Sequence, residues 1–193
     1  MSEEEKKETT EKQEEKVPYQ RDLYDWMQTL VMALVVLILT FTLVGRVIGV
    51  SGPSMMSTLH DGDLMLLQSI GYQPKAGDVV VLRKDSFMVE PIVKRIIATG
   101  GQHVQVDMAN NAVYVDGVQL DEPYINEPMV PMSYYDDAVV DVVVPEGSIY
   151  VMGDNRNHSS DSRDPRLGIV DERYVLGRSL CILFPFRDFG MIR

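Results

Sequence analysis

One uninterrupted apolar run near the N-terminus constrains the fold of this chain more than any other feature. Residues 26–44 read WMQTLVMALVVLILTFTLV and carry no charged side chain. About 20 apolar residues in a helix cross the hydrocarbon core of a bilayer. A buried core helix is the alternative, but it would need burial on every side because the run has no polar stripe. We therefore predict a transmembrane helix over residues 23–49.

The segments on either side of this run predict its orientation. Five basic residues precede it, whereas Arg46 alone follows it before Lys75. The positive-inside rule then places the N-terminus in the cytoplasm and residues 50–193 outside the cell membrane. Residues 1–22 are acidic and poor in apolar side chains, which predicts a disordered tail. A cleavable signal peptide is the alternative, but no convincing small-x-small site follows the run, so we predict an uncleaved single-pass anchor.

The overall composition disfavours several functions. The net charge is −11, whereas nucleic acids are bound by clustered Lys and Arg, so we predict no nucleic-acid partner. Cys181 is the only cysteine, which excludes an intrachain disulfide, and its apolar neighbours predict a small buried side chain. The three histidines are scattered along the chain, which disfavours a zinc site, and no cofactor is implied.

The region after the apolar run is rich in short β-type segments. Turn residues such as Asp116-Gly117 separate them, and this pair stands between apolar flanks that are typical of a hairpin. No long amphipathic helix intervenes, so residues 50–193 are predicted to form a β-barrel or sandwich-like domain. The predicted strands are residues 64–70, 78–83, 87–99, 103–107, 112–115, 139–144, 148–152 and 180–184.

Two isolated residues have side chains suited to acyl transfer. Gly52-Pro53 before Ser54 makes a rigid turn that could present a hydroxyl and its backbone N–H together, although serines in such turns are often plain loop residues. Alternation from Ile92 places Lys94 among apolar side chains. Burial there would lower the lysine pKa and make the amine a general base. The alternative is an edge-strand lysine that extends its amine to solvent.

A third segment, residues 152–163, is dense in polar side chains. It follows a predicted strand directly and includes Asp154, Arg156, Ser159, Asp161 and Arg163. Asp and Arg at short spacing can brace one another in a buried network. A solvated loop has the same composition, so the residues alone leave both interpretations open.

Taken in order, these segments resemble the bacterial type I signal peptidases over about residues 26 to 186. A single span and a short chain are similar to the Gram-positive-like branch of that family. The ordered set is far more specific than any one motif. It comprises Ser54-Met55-Met56 with Thr58-Leu59, Gly62-Asp63, Gly77-Asp78-Val79-Val80-Val81, Val93-Lys94-Arg95-Ile96-Ile97, Gly153-Asp154-Asn155-Arg156 and Ser160-Asp161-Ser162-Arg163.

The resemblance implies a serine endopeptidase with a Ser-Lys dyad. Ser54 would be the nucleophile and Lys94 the general base, and Ser159 would orient the lysine amine. Asp161 with Arg163 would form a supporting ion pair, and Asp154 and Arg156 would support the site from the same box. The Ser54 backbone N–H would donate to the oxyanion, together with a second donor that the sequence does not identify.

The resemblance also implies a substrate and a setting. The substrate would be a secreted preprotein, cut after a small-x-small (Ala-x-Ala-like) site through an acyl-enzyme. The implied partners are the lipid bilayer and the protein-export machinery nearby. Two positions depart from the family pattern: Ser57 replaces the usual proline, and Gly52 stands where some relatives have a serine.

Three other functions compete with this interpretation. One is a Ser-His-Asp hydrolase that uses His158 with Asp161. Another is a self-cleaving Ser-Lys repressor, which would need a basic DNA-binding region that this chain lacks. The third is a non-catalytic membrane-anchored β-domain that binds exported proteins, for which Ser54 and Lys94 would be dispensable.

Overall fold

The structure, a computed structural model, describes residues 19–43, 45–130 and 140–192. The chain divides into two compact units, Met1–Thr42 and Leu43–Arg193. The first unit contains the helix α1, Tyr19–Leu43, apart from its last residue. Its segment Asp22–Leu39 is long and apolar enough to cross a membrane, as judged by length and composition.

The boundaries of this helix differ from the prediction at both ends. The predicted tail over residues 1–22 overlaps the start of the helix, and residues 1–18 of that tail lie outside the described residues. The predicted anchor over residues 23–49 is wrong at its C-terminal end, because Gly45–Gly49 is a β-strand. This strand pairs with Leu64–Gln68. The pairing satisfies backbone N–H and C=O groups that would otherwise have formed hydrogen bonds within a longer helix.

The second unit is built from twelve strands within the described residues. In chain order they are β1 (Gly45–Gly49), β2 (Leu64–Gln68), β3 (Val79–Leu82), β4 (Ile92–Thr99), β5 (His103–Asp107), β6 (Ala112–Val115), β7 (Val118–Gln119), β8 (Asp141–Val143), β9 (Ser148–Met152), β10 (Val170–Asp171), β11 (Val175–Phe184) and β12 (Gly190–Met191). Three 3-10 turns accompany them: Arg156–His158, Glu172–Tyr174 and Phe186–Asp188. The mainly β class predicted from the sequence is confirmed.

The strands form two antiparallel sheets. The larger has the order β1-β2-β11-β3-β4-β9-β10, with β12 paired to β11. The smaller has the order β7-β6-β5-β8. The predicted hairpin at Asp116-Gly117 is confirmed, because Val115 pairs with Val118. Strands β3 and β4 lie inside the larger sheet, and their consecutive buried residues show that both faces of these strands are covered.

Strand β4 shows why simple alternation was a weak guide to its residues. Six consecutive residues, from Val93 to Ala98, are buried, so side chains on both faces are covered. Lys94 and Arg95 are only 3% and 2% exposed, although they point to opposite faces. Burial of Lys94 was predicted, whereas burial of Arg95 was not.

The remaining sequence predictions agree in part. Strands β5, β6 and β9 coincide with their predicted bounds, whereas β1, β10 and β12 were not predicted. The predicted strand over residues 139–144 begins at a residue outside the described ones, and β8 covers its middle. Cys181 lies in β11 and is partly buried, so the predicted burial of its side chain is confirmed only in part.

Candidate active site

The turn that carries Ser54 follows β1 and is anchored by side chains buried in the core. The side chains of Met55 and Leu59 are 1% and 0% exposed in the core cluster that also contains Met65 of β2. The Met56 and Leu59 backbone N–H groups donate to Pro53 and Met55 carbonyls, at 3.1 and 2.8 Å. The apolar anchors thus hold a tight turn whose Ser54 side chain remains partly exposed.

Lys94 lies on β4 opposite Val80 of β3, and its amine reaches this turn. The Nζ atom donates to Ser54 Oγ at 2.8 Å and to the Val93 carbonyl at 2.9 Å. Burial lowers the pKa of the Lys94 amine from 10.5 to about 8, because desolvation disfavours the ammonium. The carboxylates of Asp161 and Asp154 oppose this shift in part. A lysine in this state can accept a proton near neutral pH.

Gly153 allows the polar segment after β9 to approach the Ser54 turn closely. A Cβ atom at this position would stand 2.3 Å from Ser159 Oγ and 2.5 Å from the Ser54 carbonyl oxygen. Any side chain would therefore force the two segments apart. The Gly153 N–H donates to Asp161 Oδ2 at 3.0 Å, so its backbone is fixed as well.

Asn155 fastens the same turn to the segment after β9. Its backbone N–H donates to the Ser54 carbonyl at 3.0 Å, and its side-chain amide donates to the Pro53 carbonyl at 3.1 Å. These bonds leave the Ser54 N–H free, because it donates to no acceptor within the part of the chain that the structure describes. The Gly52 N–H donates to Asp61 Oδ1 at 2.9 Å, so a second oxyanion donor stays unassigned.

Three buried ion pairs brace the segment after β9. Asp161 accepts from Arg163 Nε and Nη2, both at 2.8 Å, as the sequence predicted for this pair. Asp154 accepts from Arg95 Nε at 2.8 Å and Nη2 at 2.7 Å. Arg156 donates to Glu122 Oε1 at 2.5 Å. All six side chains are at most 6% exposed.

The charge of Asp161 depends on its partners. Burial alone would raise the pKa of this carboxyl, but the Arg163 guanidinium, through its charge and its hydrogen bonds, and the Gly153 N–H outweigh burial and lower it. Asp161 therefore stays ionised beneath Lys94. Its negative charge keeps the Lys94 pKa from falling further.

Several residues in this network were not assigned from the sequence. Arg95 is adjacent to Lys94 in the sequence, and this proximity was the only indication that it belongs to the site. Glu122 and Tyr124 lie in a segment where the sequence gave no indication of a role in the site. The Tyr124 ring centroid is 3.9 Å from Arg95 Cζ, a cation–π contact, and its hydroxyl donates to Glu122 at 2.9 Å. Thr58 donates to Asp154 Oδ2 at 2.5 Å.

Two predicted contacts differ from the geometry. The Lys94 amine donates to Ser54 and Val93 rather than to Ser159, so the orienting role predicted for Ser159 stays a prediction. His158 is exposed, and Asp161, its proposed triad partner, accepts instead from Gly153 and Arg163. The histidine mechanism therefore has no geometric support.

A cleft of about 390 Å³ opens beside Ser54 and Lys94. Apart from these two, its walls include Ile48 and Gly49 of β1 and Val93 of β4. Such a mostly aliphatic lining suits small apolar side chains of an extended peptide.

Comparisons with known proteins identify the family of this chain. The profile of the family described as signal peptidase, peptidase S26, matches residues 23–184. Signal peptidase I of Bacillus licheniformis is 35% identical over 86% of this chain and 91% of its own length. Signal peptidase I S of Bacillus subtilis (strain 168) is 33% identical over 90% of this chain and 96% of its own.

Two further relatives extend the range of organisms. Probable signal peptidase I-1 of a Synechocystis strain is 34% identical over 84% of this chain and 83% of its own, so the likeness does not single out the Gram-positive-like branch. A crystal structure of a signal peptidase I from Enterococcus faecalis V583 is 28% identical over 55% of this chain and 97% of that chain, with a TM-score of 0.42. The fold assignment rests on the strand pairing above. By the family profile and the full-length relatives, the chain belongs to the signal peptidase family, peptidase S26.

Proposed function

We propose that this chain removes signal peptides from exported preproteins, with Ser54 as nucleophile and Lys94 as general base. Family membership supplies the class, a serine endopeptidase of the signal peptidase type. The observation that carries the assignment of residues is the 2.8 Å hydrogen bond between Lys94 Nζ and Ser54 Oγ, made by a lysine that is 3% exposed. A nucleophile and its base within hydrogen-bond reach are what acyl transfer requires.

The proposed reaction begins with neutral Lys94. Its amine takes the Ser54 proton while Oγ bonds to the scissile carbonyl carbon, whose oxygen becomes an oxyanion. The Lys94 ammonium then returns the proton to the leaving amine as the C–N bond breaks, which leaves an ester on Ser54. A water molecule, deprotonated by the same amine, attacks the ester, and the carboxylic product leaves with Ser54 and Lys94 restored.

The surrounding residues support this chemistry by position and charge. The free Ser54 N–H is the proposed first oxyanion donor. The carboxylates of Asp154 and Asp161 stabilise the ammonium that forms during the reaction, since each raises the Lys94 pKa. Arg156 and Arg163 are proposed to hold the loop after β9 against the Ser54 turn, and Ser159 to orient the Lys94 amine. These roles keep the reacting atoms in a near-attack geometry.

The cleft supports cleavage after a small-x-small sequence. A peptide extended along Ile48 and Val93 would direct alternate side chains towards the cleft wall, because side chains alternate along a strand. The lining beside Ser54 includes the apolar side chains of Ile48 and Val93, which suit small apolar side chains of the substrate. We therefore propose an Ala-x-Ala-like site as the preferred substrate.

The apolar helix supports a membrane location. We propose that α1 anchors the chain in the cell membrane as a single pass, with the N-terminus in the cytoplasm and the β-rich domain outside. The basic residues before the helix carry the orientation. An anchor of this kind raises the effective concentration of the site near preproteins that are still held by the bilayer and the export machinery.

The test is cleavage of a fluorogenic signal-peptide substrate by detergent-solubilised wild type, Ser54→Ala and Lys94→Ala. We expect cleavage after the small-x-small site by the wild type, and a loss of at least about a thousandfold in each variant. His158→Ala is the matched control, because His158 is exposed and should leave the rate unchanged.

Two results would contradict the proposal. Equal rates in all four proteins would point to a contaminating peptidase. A loss in Ser54→Ala and His158→Ala that Lys94→Ala does not share would restore the histidine mechanism.

A further inference from the structure

Ser57 combines an unusual backbone conformation with a long-range contact. Its φ is +82°, in the left-handed region that glycine favours, and within the described residues only Asn111 and Asp116 are other non-glycine residues with positive φ. Its hydroxyl donates to the carbonyl of Tyr124, which lies 67 residues further along the chain. Such a conformation in a non-glycine residue persists where surrounding contacts fix it.

The acceptor of this bond is itself held firmly. The Tyr124 ring stacks on the Arg95 guanidinium, and its hydroxyl donates to Glu122. Glu122 is paired with the buried Arg156, and Arg95 with the buried Asp154. The segment that carries Tyr124 is therefore joined to the loop after β9 by one buried ion pair, Glu122–Arg156, and through the Arg95 guanidinium, which contacts both the Tyr124 ring and Asp154. The Tyr124 carbonyl is a fixed point against which the Ser54 turn can be held.

The Ser54 turn is tied down on its two sides by different segments. On the side before Ser57, Asn155 donates to the Pro53 and Ser54 carbonyls. On the far side, the Ser57 hydroxyl bonds to Tyr124 and Thr58 bonds to Asp154. Without the Ser57 bond, the far side of the turn would keep the Thr58–Asp154 bond and the buried Met55 and Leu59 side chains, but it would lose its hydrogen bond to the Tyr124 segment.

From these contacts we infer that the Ser57–Tyr124 bond, here called the clasp, is a positioning device that keeps the Ser54 hydroxyl within reach of the Lys94 amine. Proline cannot adopt the φ observed at position 57, because its ring fixes φ near −65°. In this chain the turn at position 57 is therefore held by a side-chain hydrogen bond and not by a proline ring. The inference rests on the proposed role of Ser54 as nucleophile.

The primary test is Ser57→Gly in the full-length protein. Glycine adopts the left-handed backbone without steric cost and removes the side chain whose hydroxyl makes the clasp. We expect kcat per titrated active site to fall about tenfold, with KM within about twofold, because displacement of a reacting group slows the chemical step rather than binding. Active sites are counted by the burst of an acylating inhibitor, so that unfolded protein does not enter the rate.

Ser57→Pro is the second variant. It excludes the observed turn altogether, so we expect a larger loss of kcat per site than in Ser57→Gly. A Ser57→Pro variant with wild-type kcat per site would overturn the clasp, because the turn would then not need a left-handed residue.

The matched control is Asp116→Gly. Asp116 also has positive φ, +53°, and its side chain also bonds to a distant backbone group, the His103 N–H at 2.8 Å, but it lies in the β6–β7 hairpin. We expect Asp116→Gly to change the melting temperature and to leave kcat per site unchanged.

The outcomes separate the clasp from the function itself. Wild-type kcat per site in Ser57→Gly, while the wild type cleaves and Ser54→Ala does not, would overturn the clasp and leave the Ser-Lys proposal intact. A fall in the number of titrated sites alone, equal in Ser57→Gly and Asp116→Gly, would likewise show that the bond is merely structural. Failure of the wild type to cleave would refute the proposed function instead.

Discussion

Two Asp-x-Arg pairs in the β-rich unit have the same geometry in opposite surroundings. In Asp161-Ser162-Arg163 the guanidinium Nε and Nη2 atoms donate to the two carboxylate oxygens, both at 2.8 Å. In Asp171-Glu172-Arg173 the same atoms donate at 2.9 and 2.7 Å. The first pair is 0% and 1% exposed, whereas the second is 32% and 87% exposed. Burial, not bond geometry, distinguishes them.

The difference explains which ion pairs the active site depends on. An exposed pair exchanges one set of hydrogen bonds for another with water, so its net contribution is small. A buried pair costs desolvation when it forms, and breaking it leaves an uncompensated charge in a low-dielectric site. The pair beneath Lys94 is therefore a fixed electrostatic element, while the pair at Asp171 is replaceable.

The largest expected effect comes from removing one partner of the buried pair. Arg163→Met should lower the free energy of unfolding by about 3–5 kcal/mol, because Asp161 would be left charged and buried. Arg173→Met, the matched control, should leave the unfolding midpoint within the error of the measurement. Denaturant unfolding in detergent measures both. Similar midpoints in the two variants would show that burial does not separate the pairs.

Lys94 is a buried cation whose nearest polar contacts are uncharged. Removing it should therefore raise the free energy of unfolding, whereas removing Arg163 should lower it. Lys94→Met should abolish cleavage and raise the free energy of unfolding at pH 7 by about 3 kcal/mol, from a pKa lowered from 10.5 to about 8. The folded state binds fewer protons than the unfolded state between these values, so wild-type stability rises with pH across that window. The gain in Lys94→Met should therefore shrink from pH 8 towards 10.5. A gain that is constant with pH would contradict this account.

The pH dependence of cleavage tests the same lysine in the reaction. The proposed base must be neutral, so kcat/KM should fall about tenfold for each pH unit below about 8 and level off above it. The measurement is initial rates of the fluorogenic substrate between pH 6 and 9.5, with unfolding checked at each pH. A rate that is independent of pH over this range would exclude a titrating Lys94 as the base.

A smaller effect than that of Arg163→Met is expected at a third pair of the same pattern, Asp164-Pro165-Arg166. Its carboxylate is 0% exposed and its guanidinium 68% exposed, so it is intermediate between the other two. Arg166→Met should lower the free energy of unfolding by less than about 1 kcal/mol, because solvent screens the exposed partner. The same denaturant series measures it. A loss as large as that of Arg163→Met would show that burial of one partner suffices.

Much of the site was predictable because its residues stand in short, ordered segments. Ser54 in its Gly-Pro turn, Lys94 in a β-branched run and the Asp161–Arg163 pair are each local patterns, and the structure brings all of them together. The Ser57 contact was not predictable, although its departure from the family pattern marked the position. Its acceptor is the backbone carbonyl of Tyr124. Every residue has such a carbonyl, so the sequence does not indicate which one accepts this bond.

The sequence by itself determined the apolar helix, the β class of the larger unit and the residues suited to acyl transfer, since each depends on composition and local periodicity. Tertiary structure alone decided where the helix stops, because β1 exists through its pairing with β2. It also decided that Arg95 pairs with Asp154, 59 residues away, and that Lys94 is desolvated enough to have a pKa of about 8. The Arg95–Asp154 pairing and the lowered Lys94 pKa both depend on which distant segments pack around these side chains and exclude water from them. No local sequence pattern encodes that packing.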